Sequence, residues 1–399
     1  MRTLLFAILA ALALAAGPAS ADDSCRAGQS FASWLAELRA EAAARGISQR
    51  ALAALDGLAP DERVLGLDRR QPSLSLSFLD FADRVISADR LRRGQAALAR
   101  DARTFARIER DFGVPGPVVA AFWGLETDFG GFTGDFSSLR SLATLAYDCR
   151  RPDQFRGELM AALMILDRGD LRPAEMKGAW AGELGQVQFA PSNYLRYAVD
   201  YDGDGRRDLV GSVPDALASA ANYLRHLGWR AGEPWLEEVR VGETVPWAEA
   251  ARENFRPRSF WARAGVSRAD GSALPADALP AALILPMGRH GPAFLGTRNF
   301  LLFWEWNQSS NYSLAAAYFA TRLAGAPPLR RGDASPILAA AKMRELQERL
   351  NRAGYDAGLA DGRLGEITRA AVKRAQAAFG LAPDGYPTAE LLDRLRQGR

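Results

Sequence analysis

Val118-Val119-Ala120-Ala121-Phe122-Trp123-Gly124-Leu125-Glu126-Thr127-Asp128-Phe129-Gly130 is an apolar run that closes on a carboxylate. Pro117 ahead of it is a favoured first-turn residue and Gly130-Gly131 is a stop, so the stretch predicts one helix ending at the glycines. A carboxyl group set among Val, Phe, Trp and Leu is costly to ionise, and its pKa is expected to rise. An acid that stays protonated near neutral pH is what acid-catalysed cleavage of a glycosidic bond uses. Further on, Gly185-Gln186-Val187-Gln188-Phe189-Ala190-Pro191-Ser192-Asn193-Tyr194 offers amides, aromatics and glycines suited to lie along a sugar. The plainer reading of Glu126 is a helix-end carboxylate paired to an arginine.

Outward from this helix the pattern is mainly α. Phe31, Trp34, Leu35 and Leu38 recur at i, i+3, i+4 and i+7, with Gly46 as a stop. Leu91 to Phe112 reads as one further amphipathic stretch, and helices are predicted at 153–167 and 213–227. From about 236 to 300 there are Pro/Gly breaks and β-type runs, Glu238-Val239-Arg240-Val241 and Ala281 to Pro286, with Gly288 to Gly291 as a hairpin turn. These predict a small antiparallel sheet inserted in a helical domain. Helix returns at 300–306 and 312–323. Residues 326–336, with Pro327-Pro328 and Arg330-Arg331-Gly332, read as a linker. Residues 337–399 carry three apolar stripes (Met343, Leu346, Leu350; Ala371, Val372, Ala375, Phe379; Leu391, Leu392, Leu395), hence a three-helix module with Asp361-Gly362 and Asp384-Gly385 as turns.

Residues 1–21 have Arg2, an apolar core from Leu4 to Leu14 and Ala19-Ser20-Ala21, the form of a cleavable signal peptide. The apolar core is shorter than the ~20 residues a spanning helix needs, and no lipobox-like string precedes Cys25. The expected location is therefore the periplasm, without a lipid anchor. A net charge of +3 is far from the basic excess of a nucleic-acid binder. The two cysteines and two histidines, at 25, 149, 226 and 290, lack the fixed close spacing of a four-ligand structural zinc site. In an oxidising compartment Cys25 and Cys149 are each other's only disulfide partners; the alternative is two free buried thiols. Asp200-Tyr201-Asp202-Gly203-Asp204-Gly205-Arg206-Arg207-Asp208 resembles an EF-hand loop, with Asp200, Asp202, Asp204, Arg206 and Asp208 as ligand positions for a calcium ion. Its twelfth position is Gly211 rather than a bidentate Glu, and the competing reading is a set of Asx turns.

Residues from about 25 to 325 resemble the B-type lytic murein transglycosylases, with a lysozyme-like core. The resemblance rests on Asp68-Arg69-Arg70-Gln71-Pro72, Trp123-Gly124-Leu125-Glu126-Thr127-Asp128-Phe129-Gly130, Leu142 to Asp148 and Trp180-Ala181-Gly182. It continues through Gly185-Gln186-Val187-Gln188-Phe189, Pro191-Ser192-Asn193-Tyr194, Asp202-Gly203-Asp204-Gly205 and Ala221-Asn222-Tyr223. Residues 337–396 resemble the peptidoglycan-binding domain 1 family through Leu346-Gln347, Gly354, Asp361-Gly362, Gly365, Thr368, Gly380-Leu381 and Asp384-Gly385. The implied organisation is a catalytic domain over 22–325, a linker and a peptidoglycan-binding domain over 337–399.

The resemblance implies non-hydrolytic cleavage of the bond between N-acetylmuramic acid and N-acetylglucosamine, with no required cofactor. Glu126 protonates the bridging oxygen and then, ionised, takes the proton of the C6 hydroxyl, closing a 1,6-anhydro ring. Gln188 is implied as a hydrogen-bonding partner of the sugar, Phe189 as a cleft wall, and Tyr223 and Tyr312 as cleft tyrosines. The chain departs from the family pattern at Ala179 (usually Ser), Ala190 (commonly Met) and Glu183 (usually Ala). Glu183 adds a carboxyl near the cleft, which opens an alternative as a hydrolytic muramidase with a second general base. A third alternative is a non-catalytic wall-binding scaffold. The expected partners are glycan strands and cell-wall synthesis or division proteins, with the chain a monomer, and the C-terminal module raising local substrate concentration.

Overall fold

The computed structural model describes residues 28–69 and 76–398. The expected signal segment, Cys25 and the Arg70-Gln71-Pro72 part of the first motif lie outside the described residues.

In chain order the elements are α1 (Phe31–Ala44), α2 (Gln49–Leu52), α3 (Glu62–Arg69), α4 (Phe78–Val85), α5 (Ala88–Arg100), α6 (Ala102–Phe112), α7 (Gly116–Thr127), β1 (Phe136–Ser137), α8 (Ser138–Tyr147), α9 (Pro152–Arg168), β2 (Lys177–Gly178), α10 (Pro191–Tyr197) and α11 (Val213–His226). They continue with β3 (Leu236–Val241), β4 (Arg256–Pro257), α12 (Arg258–Arg263), β5 (Val266–Arg268), β6 (Pro280–Ile284), β7 (Ala293–Gly296), α13 (Arg298–Trp306), α14 (Ser310–Leu323), α15 (Ala340–Arg352), α16 (Glu366–Ala378) and α17 (Ala389–Gln397). The fold is mainly α, a lysozyme-like core with an inserted antiparallel sheet and a C-terminal three-helix part. Its described residues divide into two compact units, 28–69 with 89–229, and 76–88 with 230–398.

In the first unit α7 is the central helix. It is apolar on every side, as a helix enclosed by others must be, and only Pro117 and Glu126 escape full burial. Neighbouring helices α6 and α11 pack on it, while α8 and α10 pack on α9. Serine caps start several of these helices: Ser137 accepts from the Arg140 N–H at α8 and Ser212 from the Asp215 N–H at α11. Two boundaries differ from the sequence expectation. Leu91 to Phe112 is two helices, broken at Asp101, because an unbroken amphipathic pattern does not reveal a change of direction. The α7 helix stops at Thr127, ahead of the glycines, because Asp128 takes the left-handed cap conformation itself, φ 57°. Asp68 of the first motif is buried and receives Arg150 Nη1 at 2.6 Å as well as Arg151 Nη2, which pins α3 to the start of α9.

In the second unit the strands lie in the order β4-β6-β7-β3-β5, all antiparallel, with Leu283 opposite Leu295 and Val239 opposite Ala293. Ala281, Leu283, Leu295 and Val239 share a core with Trp261, whose indole N–H donates to the Ala281 carbonyl at 2.8 Å. The helices α15 to α17 enclose their own core of Met343, Leu346, Leu350, Ala371, Val372, Leu391 and Leu392.

The segment expected as a linker is fastened along its length. Leu329 N–H donates to the Tyr318 hydroxyl at 3.0 Å, and Arg330 N–H to Glu238 at 2.8 Å. Arg331 pairs with Asp83, and Asp333 N–H donates to the His290 carbonyl at 2.8 Å. The three-helix part also contacts the sheet region directly: Arg369 Nη2 donates to the Pro286 carbonyl at 2.8 Å, Lys373 to the Ala250 carbonyl, and Asp384 accepts from Arg289 N–H at 3.0 Å. Composition suggested a linker because these partners lie far away in sequence.

Candidate active site

Glu126, Gln188, Phe189 and Tyr223 all belong to the first unit, where α7 packs on α11 and is tied to the 178–189 hairpin. Glu126 occupies the last turn of α7 and is half-buried, the polar window of an otherwise enclosed helix. The following segment is braced against the 178–189 hairpin by residues not singled out in the sequence. Thr127 Oγ1 donates to the Gln186 carbonyl at 2.6 Å and accepts from Gly130 N–H at 3.0 Å. Trp123 Nε1 donates to Gln186 Oε1 at 3.0 Å, and Gln186 Nε2 donates to the Val210 carbonyl at 3.1 Å. The signal for this brace was the first glutamine in Gly185-Gln186-Val187-Gln188, whose burial only the tertiary structure reveals.

The hairpin is tightly closed. Leu184 and Phe189 exchange both backbone hydrogen bonds, at 2.8 and 3.0 Å. Ala179 N–H donates to the Glu183 carbonyl at 3.2 Å. Gln188 sits at its tip with a left-handed backbone, φ 49°, a conformation that non-glycine residues adopt at a cost. Its Nε2 donates to the Thr133 carbonyl at 3.0 Å and to the Gly185 carbonyl at 2.8 Å. With both amide hydrogens so committed, the group Gln188 offers a ligand is Oε1, an acceptor.

Phe189 is buried and meets Tyr223 edge-on, ring centroids 5.5 Å apart. Tyr223, half-buried on α11, lies 4.8 Å from the Tyr197 ring, which in turn faces His226 at 5.3 Å. Phe189 therefore supports Tyr223 more than it lines an open surface. Tyr312 belongs to the second unit and is fully buried on α14, so its ring presents no surface there. Asp128, just after Glu126, accepts from Arg90 Nε at 3.0 Å and from Arg93. Burial raises the Asp128 pKa, but these two arginines prevail and hold it below the usual carboxylate range.

Glu183 belongs to the 178–189 hairpin that also carries Gln188. The charged groups that act on its carboxyl are Glu158 of α9 and Arg151, the residue just before that helix. The residue as a whole is half-buried, yet Oε2 is fully shielded and has no hydrogen-bond partner. Burial first, then repulsion from Glu158, pushes this carboxyl up to about 7 against the partial opposition of its own amide and Arg151.

In the acidic loop both sequence readings coexist. Asp200 accepts from Gly203 and Gly205 N–H at 2.7 and 2.9 Å, and Asp204 from Arg206 N–H at 2.8 Å, as Asx turns do. One carboxylate oxygen each from Asp200, Asp202 and Asp204 nevertheless lies within 4.8 Å of the others, a spacing that fits three ligands of a hard cation. Asp208 is spent on Val210 and Gly211 N–H at 3.0 and 2.7 Å, and the Arg206 guanidinium turns to the Asp170 carbonyl at 2.9 Å. The loop is organised by Asp215, fully buried, which accepts from the N–H groups of Tyr201 and Asp208 at 2.7 and 2.8 Å. Cys149 is disulfide-bonded; Cys25 lies outside the described residues. Among the described residues no helix is long and apolar enough to cross a membrane.

Residues 30–321 match the family described as the transglycosylase SLT domain, and residues 340–395 match the peptidoglycan binding domain family. The chain is 28% identical over 271 residues to membrane-bound lytic murein transglycosylase B of Escherichia coli (strain K12), covering 62% of this chain and 70% of the relative. Its structure is similar to SltB3 from Pseudomonas aeruginosa in complex with NAG-anhNAM-pentapeptide, with TM-score 0.87 and 40% identity over 92% of this chain and 100% of that one. The Escherichia coli lytic transglycosylase SLT35 in complex with calcium superposes with TM-score 0.63 and 26% identity, over 73% of this chain and 92% of that one. On these grounds the chain belongs to the lytic transglycosylase B family, enzymes built as a transglycosylase SLT domain, here followed by a peptidoglycan binding domain.

Proposed function

We propose that this enzyme cleaves peptidoglycan between N-acetylmuramic acid and N-acetylglucosamine, leaving a 1,6-anhydro end, with Glu126 as acid and then base. The observation that carries this is the position of Glu126, the acidic window of the enclosed helix α7, braced through Thr127 and Trp123 to the hairpin that presents Gln188. That a 40% identical relative is seen with NAG-anhNAM-pentapeptide supports the same product.

In this mechanism the Glu126 carboxyl gives its proton to the bridging oxygen as the C1–O bond breaks. The 2-acetamido group supports the positive charge developing at C1. The Glu126 carboxylate then takes the C6 hydroxyl proton, and the C6 oxygen bonds to C1. The glutamate ends protonated and no water is consumed. Gln188 Oε1 would accept from a sugar hydroxyl or acetamido N–H, and Tyr223, held by Phe189 and Tyr197, would orient the reacting sugar. Asp200, Asp202 and Asp204 would hold a calcium ion as structural support for the loop, outside the chemistry. The signal-like N-terminus and the disulfide at Cys149 support action in the periplasm.

The test is mass spectrometry of digested sacculi. Wild type should release anhydro-muropeptides, and Glu126→Gln should lower their release by at least about a thousandfold with thermal stability retained. Reducing ends as the main product would overturn the anhydro route, and unchanged release by Glu126→Gln would overturn its assigned role.

A further inference from the structure

Glu183 Oε2 is a buried acceptor without a partner, and Arg151 Nε, at the start of α9, is a buried donor without one. Pairs of unsatisfied buried groups are rare and costly in a native protein. Here the two are electrostatically coupled. Arg151 is held elsewhere, through Nη2, by the buried Asp68 carboxylate. Glu183 is also repelled by Glu158, whose carboxylate is itself held by the Ser192 N–H and hydroxyl at 2.9 and 2.7 Å. The nearby Ser138 hydroxyl of α8 is likewise buried without a partner. The Glu183 carbonyl is part of the hairpin closure, and the next residue, Leu184, forms the reciprocal pair with Phe189.

We propose that Glu183 is a positioning residue: only its protonated carboxyl can stay buried while the 178–189 hairpin is closed, and its ionisation loosens that hairpin, displacing Gln188 and Phe189. Two penalties act in the ionised state. The buried Oε2 has no donor to hold a charge, and repulsion from Glu158 adds to that cost, with only partial opposition from Arg151. Protonation removes both. A carboxyl pushed up to about 7 makes the exchange fall in the neutral range. The consequence for catalysis rests on the function proposed above; the change in the hairpin does not.

The test is hydrogen exchange of the peptides covering 178–190, corrected for intrinsic rate, at about pH 5 and pH 8 in wild type, Glu183→Gln and Glu183→Ala. Alanine is tolerated at this position in the family, so at least one variant should fold. Wild-type protection of the Leu184 and Phe189 amides should fall about tenfold or more between these pH values, and in both variants it should stay level, since an opening equilibrium coupled to one proton shifts up to tenfold per pH unit. Equal pH dependence in all three proteins overturns the proposal. Anhydro-muropeptide release read on the same samples separates the two claims. A hairpin that responds as described without any release supports the positioning role and counts against the proposed function. Release with a pH profile unmoved by Glu183→Gln counts against the positioning role alone.

Discussion

Gly178 stands where the hairpin crosses itself: a Cβ there would lie 1.7 Å from the Glu183 carbonyl oxygen, which is backbone and has no room to retreat. Gly178→Ala should therefore cost about 3 kcal/mol or more, as forced overpacking does. Urea unfolding measures this, and a loss below about 1 kcal/mol would mean the crossing is looser than described. Glu183 has a different signature. Its carboxyl is raised from 4.5 to about 7 in the fold, so its contribution to stability is intact below the unfolded value and is lost as pH rises through about 7. Glu183→Gln should thus be roughly 2–3 kcal/mol more stable than wild type at about pH 8 and nearly equal to it at about pH 4. Thermal unfolding across that range checks both ends. Glu126 could be singled out from sequence because an acid in an apolar run is conspicuous. Gln186 and Thr127 could not, since a buried amide and a buried hydroxyl look ordinary until their partners, Trp123 and the Gln186 carbonyl, arrive from another element.

Among the elements, the C-terminal helices carry a device used twice. Buried Gln347 of α15 receives the Gly362 N–H at 2.8 Å and donates to Asp361 and the Arg363 carbonyl at 3.1 and 3.0 Å. Buried Gln376 of α16 does the same for the next turn, receiving Gly385 N–H at 2.9 Å and donating to Asp384 and the Tyr386 carbonyl at 2.9 and 3.1 Å. Each glutamine thereby satisfies a turn that would otherwise bury bare backbone groups. Gln376→Leu leaves the Gly385 N–H and Tyr386 carbonyl unpaired and should cost about 2–4 kcal/mol. A fall in the denaturation midpoint of the three-helix part checks it, and an unchanged midpoint would remove the clamp from the account. The two Asp-Gly turns were evident in the sequence as turn dipeptides. The glutamines were not, because on an amphipathic helix a polar residue reads as solvent-facing by default. The α5–α6 break at Asp101 escaped for a related reason: periodicity reports which face is apolar and not where the axis bends.

At the scale of the molecule, the segment 326–336 is a strap. Its exposed Arg331–Asp83 pair contributes little alone, as exposed ion pairs do; the Leu329, Arg330 and Asp333 N–H groups supply the remaining ties. Trypsin should therefore cut after Arg330 and Arg331 only slowly in native buffer, with a rate that rises with urea, since cleavage needs the strap to open. Immediate nicking that releases the three-helix part would show a free tether instead. Composition and periodicity alone determined the mainly α architecture, the small inserted sheet and the three C-terminal helices, because these depend on which side chains avoid water along one stretch of chain. The tertiary structure alone decided that the apparent linker is fastened, that Tyr312 is buried, and that Glu183 answers to Glu158 and Arg151. Those outcomes depend on which distant groups meet, and desolvation and pairing act only once they have met.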